Sequence, residues 1–88
     1  MFRVDFEKTF LNHLKRLPYS VQVKTDELVG LLSLDFRDSR LHTKKLSGVD
    51  DVYSFRIGRD YRCLFCFVDG NTITLLDIQH RKDIYRNL

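Results

Sequence analysis

No stretch of this 88-residue sequence approaches the ~20 consecutive apolar residues that a membrane-spanning helix needs. Its opening, Met1-Phe2-Arg3-Val4-Asp5-Phe6, alternates apolar and polar side chains and lacks the continuous apolar core of a secretion signal. These absences point to a cytoplasmic protein without a membrane partner. Cysteine is scarce, and both copies, Cys63 and Cys66, fall inside the apolar run 61–68, which reads as a strand. Residues three apart on a strand face opposite ways, which argues against a disulfide between them. The pair also lacks the second ligand pair of a structural metal site, so buried thiols in a reducing compartment are the default and no metal is expected. Proline occurs once, at position 18, and glycine only four times. There is no linker, internal repeat or low-complexity tract.

Acidic residues are slightly outnumbered: 15 Lys and Arg stand against 12 Asp and Glu, for a net charge of +3. That excess permits a nucleic-acid partner without demanding one. What the chain does have is apolar density. Hydrophobic residues make up 43% of it, with seven Phe and four Tyr, as a short chain needs if it is to build a core. Length allows one domain, residues 1–88.

Phe2, Val4 and Phe6 alternate with Arg3 and Asp5, which predicts a first strand. Residues 7–16 change to helical spacing, with Phe10, Leu11, Leu14 and Leu17 in one stripe. After the break at Pro18, Ser20 is the expected N-cap of a second helix running to about residue 34. Its apolar positions include Val21, Leu28, Leu31 and Leu32. Residues 35–51 are polar and irregular, with room for a short strand near Lys45 and Leu46. Strands are then expected at 52–58, 61–68 and 72–79, with Asp69-Gly70-Asn71 as a hairpin turn in which Gly supplies positive φ. Residues 81–88 are predicted to form a short terminal helix. The fold class is therefore α+β: an N-terminal strand, a helical hairpin, then a mainly antiparallel sheet with a three-strand meander.

Two basic groups stand out. One holds Arg40, Lys44, Lys45, Arg56, Arg59 and Arg62; the other is His80, Arg81, Lys82 and Arg86. In a meander, the start of the middle strand and the end of the last share one end of the sheet, so Arg62 and His80–Arg81 should converge there. Pattern alone leaves open both a functional site and an ordinary solvated surface.

Three segments carry a family resemblance. Tyr53-Ser54-Phe55-Arg56-Ile57-Gly58-Arg59-Asp60-Tyr61-Arg62 resembles the central motif of the RelE/ParE superfamily of toxins, a Tyr-x-x-Arg strand leading into a Tyr-Arg pair. His80-Arg81-Lys82-Asp83-Ile84-Tyr85 is similar to that superfamily's basic C-terminal ending, and Lys44-Lys45-Leu46-Ser47-Gly48 to its Lys-Leu-x-Gly segment. The likeness spans essentially the whole chain. It implies a RelE-like fold and the toxin of a type II toxin–antitoxin pair, a metal-independent endoribonuclease that cuts mRNA on the ribosome. In that chemistry the 2′-hydroxyl attacks the adjacent phosphate and the 5′-oxygen leaves. A base, an acid and cations for the phosphorane are required.

By the same resemblance, Arg62 would hold the scissile phosphate, and Arg81 would act near the leaving group. Tyr85 would orient or stack on the nucleotide, and Arg56 matches a basic residue on the preceding strand that is Lys in the best-studied members. Histidine is the side-chain type whose ordinary pKa lies nearest neutrality, which makes His80 the physical candidate for acid or base. Lys44, Lys45 and Lys82 would contact RNA phosphates. Ser54 stands where some members carry a second Lys. His42 falls in a region where some relatives place a cleaving His, and His13 is expected to face solvent without a role. The partners implied are a cognate antitoxin, the ribosome and mRNA, with no cofactor. Two alternatives come with the superfamily: a ParE-like inhibitor of DNA gyrase, and an inactive relative that binds RNA or ribosomes without cleaving.

Overall fold

The structure, a computed structural model, describes residues 1–86. Strand β1 (Arg3–Phe6) leads into helix α1 (Lys8–Leu14) and helix α2 (Tyr19–Leu34). A single 3₁₀ turn (Ser39–Leu41) and the two-residue strand β2 (Lys44–Lys45) follow. Strands β3 (Val52–Ile57), β4 (Tyr61–Asp69) and β5 (Thr72–His80) complete the chain order. The sheet runs β1-β5-β4-β3-β2. The last three strands form the expected antiparallel meander, and β1 joins its far edge parallel to β5, with Arg3 opposite Thr72.

The meander forms because its apolar residues fall with period two. Phe55, Ile57, Cys63, Phe65, Ile73, Leu75 and Ile78 are all buried under the two helices, against Phe10, Leu28 and Leu32. Leu14 and Leu17 pack against the core as expected, whereas Leu11, placed in the same stripe, is 47% exposed. A bulge at Leu76 of β5 shifts the register, so that Leu64 faces Asp77 while Phe65 faces Leu75. Beside this bulge, His13 on α1 meets Asp77 at 2.6 Å. His13 is thus half-buried and tied to the sheet rather than free in solvent.

Other local expectations are corrected. Pro18, not Ser20, caps α2: its carbonyl accepts the N–H groups of Val21 and Gln22 at 2.9 and 3.1 Å. Proline's fixed φ already sets the chain's entry, and Ser20 lies inside the first turn. The 69–72 turn is held by the Asp69 carboxylate, which accepts the Asn71 N–H at 2.7 Å; Gly70 does not take positive φ there. Gly58 does, at φ 62°, in the turn between β3 and β4.

Residues 81–86 form successive turns, not the expected helix; the end of that expectation, 87–88, lies outside the described residues. The segment folds back because Ile84 is apolar and lands on the sheet face opposite the helices. Ile84, Leu64 and Ser54 are 3%, 4% and 3% exposed, although Leu64 and Ile84 stand apart from the main core. One buried side chain anchors this segment. Ile84→Ala is therefore expected to cost ~2 kcal/mol and to speed amide exchange at Asp83, Ile84 and Arg86. Amide exchange by mass spectrometry checks this; unchanged protection there would remove Ile84 as the anchor.

Candidate active site

Strand pairing decides which side chains share a face. Arg56 lies directly opposite Arg62 across β3 and β4, and Arg62 opposite Gln79 across β4 and β5. Arg81 lies in the turn just beyond β5, close enough for its charge to act on Arg62. Its backbone N–H donates to the Asp60 carbonyl at 2.7 Å, which ties the end of β5 to the β3–β4 turn. Tyr85 reaches the same face, its hydroxyl 3.5 Å from Oγ of Ser54. Lys44 is the register partner of Ser54, and together with Tyr85 and residues 46–49 it lines an open cleft of about 450 Å³. Arg56, Arg62, Arg81, Tyr85 and Lys44 thus belong to one side of the molecule.

Arg62 is half-buried, and its Nη1 donates to the carbonyls of Arg59 and Tyr61 at 3.0 and 2.8 Å. Those bonds aim the side chain and leave Nε and Nη2 without partners among the described residues, a planar fork of donors suited to two phosphate oxygens. Burial holds the Arg62 guanidinium below its ordinary pKa, and the positive charges of Arg56 and Arg81 push the same way, while Tyr85 and Asp60 oppose them. Asp60 approaches Arg81 only at 3.9 Å and exposed, a pairing of little strength. Arginine stays charged even so. The like charges repel one another, and an anion placed among them removes that repulsion.

His80 and Lys45 separate from this group. His80 is the register partner of Tyr61, and Tyr61 packs against the core under the helices. The two rings meet edge to face at 5.6 Å. Nδ1 of His80 accepts the Lys82 backbone N–H at 3.2 Å, which turns the chain at the end of β5. The expected meeting of His80 with Arg62 therefore does not occur: adjacent residues of a strand face opposite ways, so Gln79 takes the place opposite Arg62 while His80 goes with Tyr61. Lys45 pairs with Tyr53, on the helix side. Lys82 is exposed at the rim. The thiols stay free, Cys63 buried and Cys66 half-buried, and burial raises the pKa of both.

No family model matches the chain. Toxin RelE3 of Methanocaldococcus jannaschii is 33% identical to it over 85 residues, covering 94% of each chain. A chain of the RelB–RelE antitoxin–toxin complex from Methanococcus jannaschii superposes with a TM-score of 0.77 at 28% identity, over 96% of this chain and 98% of that one. A chain of the toxin–antitoxin complex RelBE2 from Mycobacterium tuberculosis gives 0.76 and 28%, over 91% and 98%. Two helices on one face of a five-stranded sheet, with an arginine-bearing opposite face, thus define a small toxin domain. The chain belongs to the RelE family of type II toxins.

Proposed function

We propose that this toxin is an endoribonuclease that cuts mRNA in the ribosome. The observation that carries the reading is the convergence of Arg56, Arg62 and Arg81, with Tyr85, on the sheet face away from the helices. In the reaction the 2′-oxygen bonds to phosphorus and the bond from phosphorus to the 5′-oxygen breaks. A proton leaves the 2′-hydroxyl and one is gained by the 5′-oxygen. Arg62 holds the scissile phosphate through Nε and Nη2. Arg81, at the open end of the sheet, meets the charge that develops on the leaving oxygen. Arg56 adds positive potential from the neighbouring strand, and Tyr85 stacks on or orients a base. Preorganised cations of this kind stabilise the phosphorane without reorganising.

The test is induction of the toxin followed by mapping of 5′ ends on cellular mRNA, with translation in vitro as the companion assay. New ends that require ribosomes are expected. Ribosome binding without cuts, or cleavage complexes on DNA with gyrase, would overturn the reading.

The separation of His80 from Arg62 sets a second expectation. His80→Gln should change the cleavage rate by less than about threefold, far short of the ~10²–10⁴ that loss of a general acid or base brings. A loss in that larger range, measured on a folded variant, would return His80 to the chemistry.

A RelB antitoxin accompanies the toxin in the solved complex from Methanococcus jannaschii. We propose a partner of the same kind here, a segment bearing acidic and apolar residues that covers the arginine face.

A further inference from the structure

We propose that the cleft behind β2, lined by Phe36, Arg37, His42, Lys45 and Tyr53, holds a second stretch of the same single-stranded RNA, which reaches it by passing round the β3 edge from the arginine face. This deepens the ribonuclease reading and rests on it. The cleft encloses about 580 Å³. Strand pairing puts Lys44 on the arginine face and Lys45 on the helix side, so one dibasic pair serves both sides of the sheet. Because β2 has two residues, paired with Tyr53 and Ser54, residues 55–57 of β3 have no strand outside them, and the 3₁₀ turn with its buried Leu41 lies against β3 in place of one. A chain can cross over that turn, where His42 is exposed. A cleft of about 440 Å³ runs beside it, and Arg56, Arg40 and His42 line it. His42 borders both clefts, so positive and titratable groups continue from one to the other.

The chemistry of the far cleft fits nucleotides. The Arg37 guanidinium lies 5.2 Å from the centre of the Phe36 ring, and Tyr53 is only half-buried. Flat, cation-bearing surfaces of this type stack bases with little regard for sequence. Arg37 and Lys45 are exposed, and neither has a carboxylate within 4 Å among the described residues. The carboxylate that the cleft does contain, Asp38, is already engaged. Nε and Nη2 of Arg40 donate to it at 3.0 and 2.9 Å, and the Arg40 backbone N–H at 2.9 Å. In the edge cleft, Glu27 is faced by Lys24 at 3.7 Å. The balance left for a ligand is positive on both sides of the edge.

The test is binding of a fluorescent 2′-O-methyl RNA dodecamer, which lacks the attacking hydroxyl and cannot be cut. Anisotropy is followed against salt. Each phosphate contact on a single strand contributes about 0.7 to the slope of log affinity against log salt. The full-length double variant Arg37→Ala/Lys45→Ala should lose about 1.4 of that slope, whereas Arg37→Lys/Lys45→Arg should keep it. Both side chains are exposed, and an unchanged unfolding transition verifies the fold. An unchanged slope in the alanine variant, with Arg56→Ala/Arg62→Ala losing slope, overturns this inference alone. Absence of RNA binding by the wild type, or its preference for duplex DNA, overturns the ribonuclease reading along with it.

Discussion

Arg62→Ala is expected to abolish growth inhibition and to lower ribosome-dependent cleavage by ~10²–10³, the range seen when one donor to a developing oxyanion is removed. The effect should be large because Arg62 is the member of the cluster that backbone carbonyls orient, with its free fork left for the phosphate. Arg56 and Arg81 cannot take over its place; they flank it, and their charge is felt at Arg62 rather than aimed with it. The fold should survive. Truncation gives up two hydrogen bonds to carbonyls that border the β3–β4 turn, but it also removes repulsion from two like charges. A net stability change within ~1 kcal/mol is expected from such opposing terms. Arg62→Lys should recover only part of the rate, since an ammonium lacks the two-pronged geometry. Induction in cells, cleavage in vitro and thermal unfolding together check the prediction. A folded Arg62→Ala protein with full toxicity would falsify the site.

Phe65→Ala should have the largest effect on stability, a loss of ~3–5 kcal/mol. Phe65 is fully buried at the centre of β4 and meets Tyr53, Phe55 and Phe67, with ring centres 5.5, 6.0 and 5.8 Å away. Neighbours on the strands either side are fixed by the sheet and cannot collapse into the void. Set against the 5–15 kcal/mol that holds a small domain folded, the change would leave a substantial unfolded fraction. Urea denaturation measures it. A loss under ~1 kcal/mol would show that the aromatic cluster repacks freely.

The meander was legible because period-two alternation and a two-sided environment coincide: Phe55 and Ile57 go under the helices while Ser54 and Arg56 go the other way. The nearness of Arg56 and Arg62 followed from the short turn at 58–60, and that of Arg81 from the shared end of the meander. That shared end also gave His80 a place it does not have. A strand's final residue looks equally close to everything at that end of the sheet until the register is known. The parallel edge pairing of β1 with β5 left no local trace, since the residues that meet are distant in the chain. The terminal helix failed for a related reason. A segment with one buried apolar side chain, Ile84, has no helical face to bury, and turns satisfy it as well.

The pairing of β1 with β5 bears on how a nascent toxin behaves. Strand β1 must wait for β5, because Val4 faces Ile73 and Phe6 faces Leu75. During synthesis β1 emerges unpaired, and it has no strand partner until β5 has been made. A chain truncated before residue 72 should therefore leave the ribosome with β1 unpaired, which delays the toxin fold until β5 is in place.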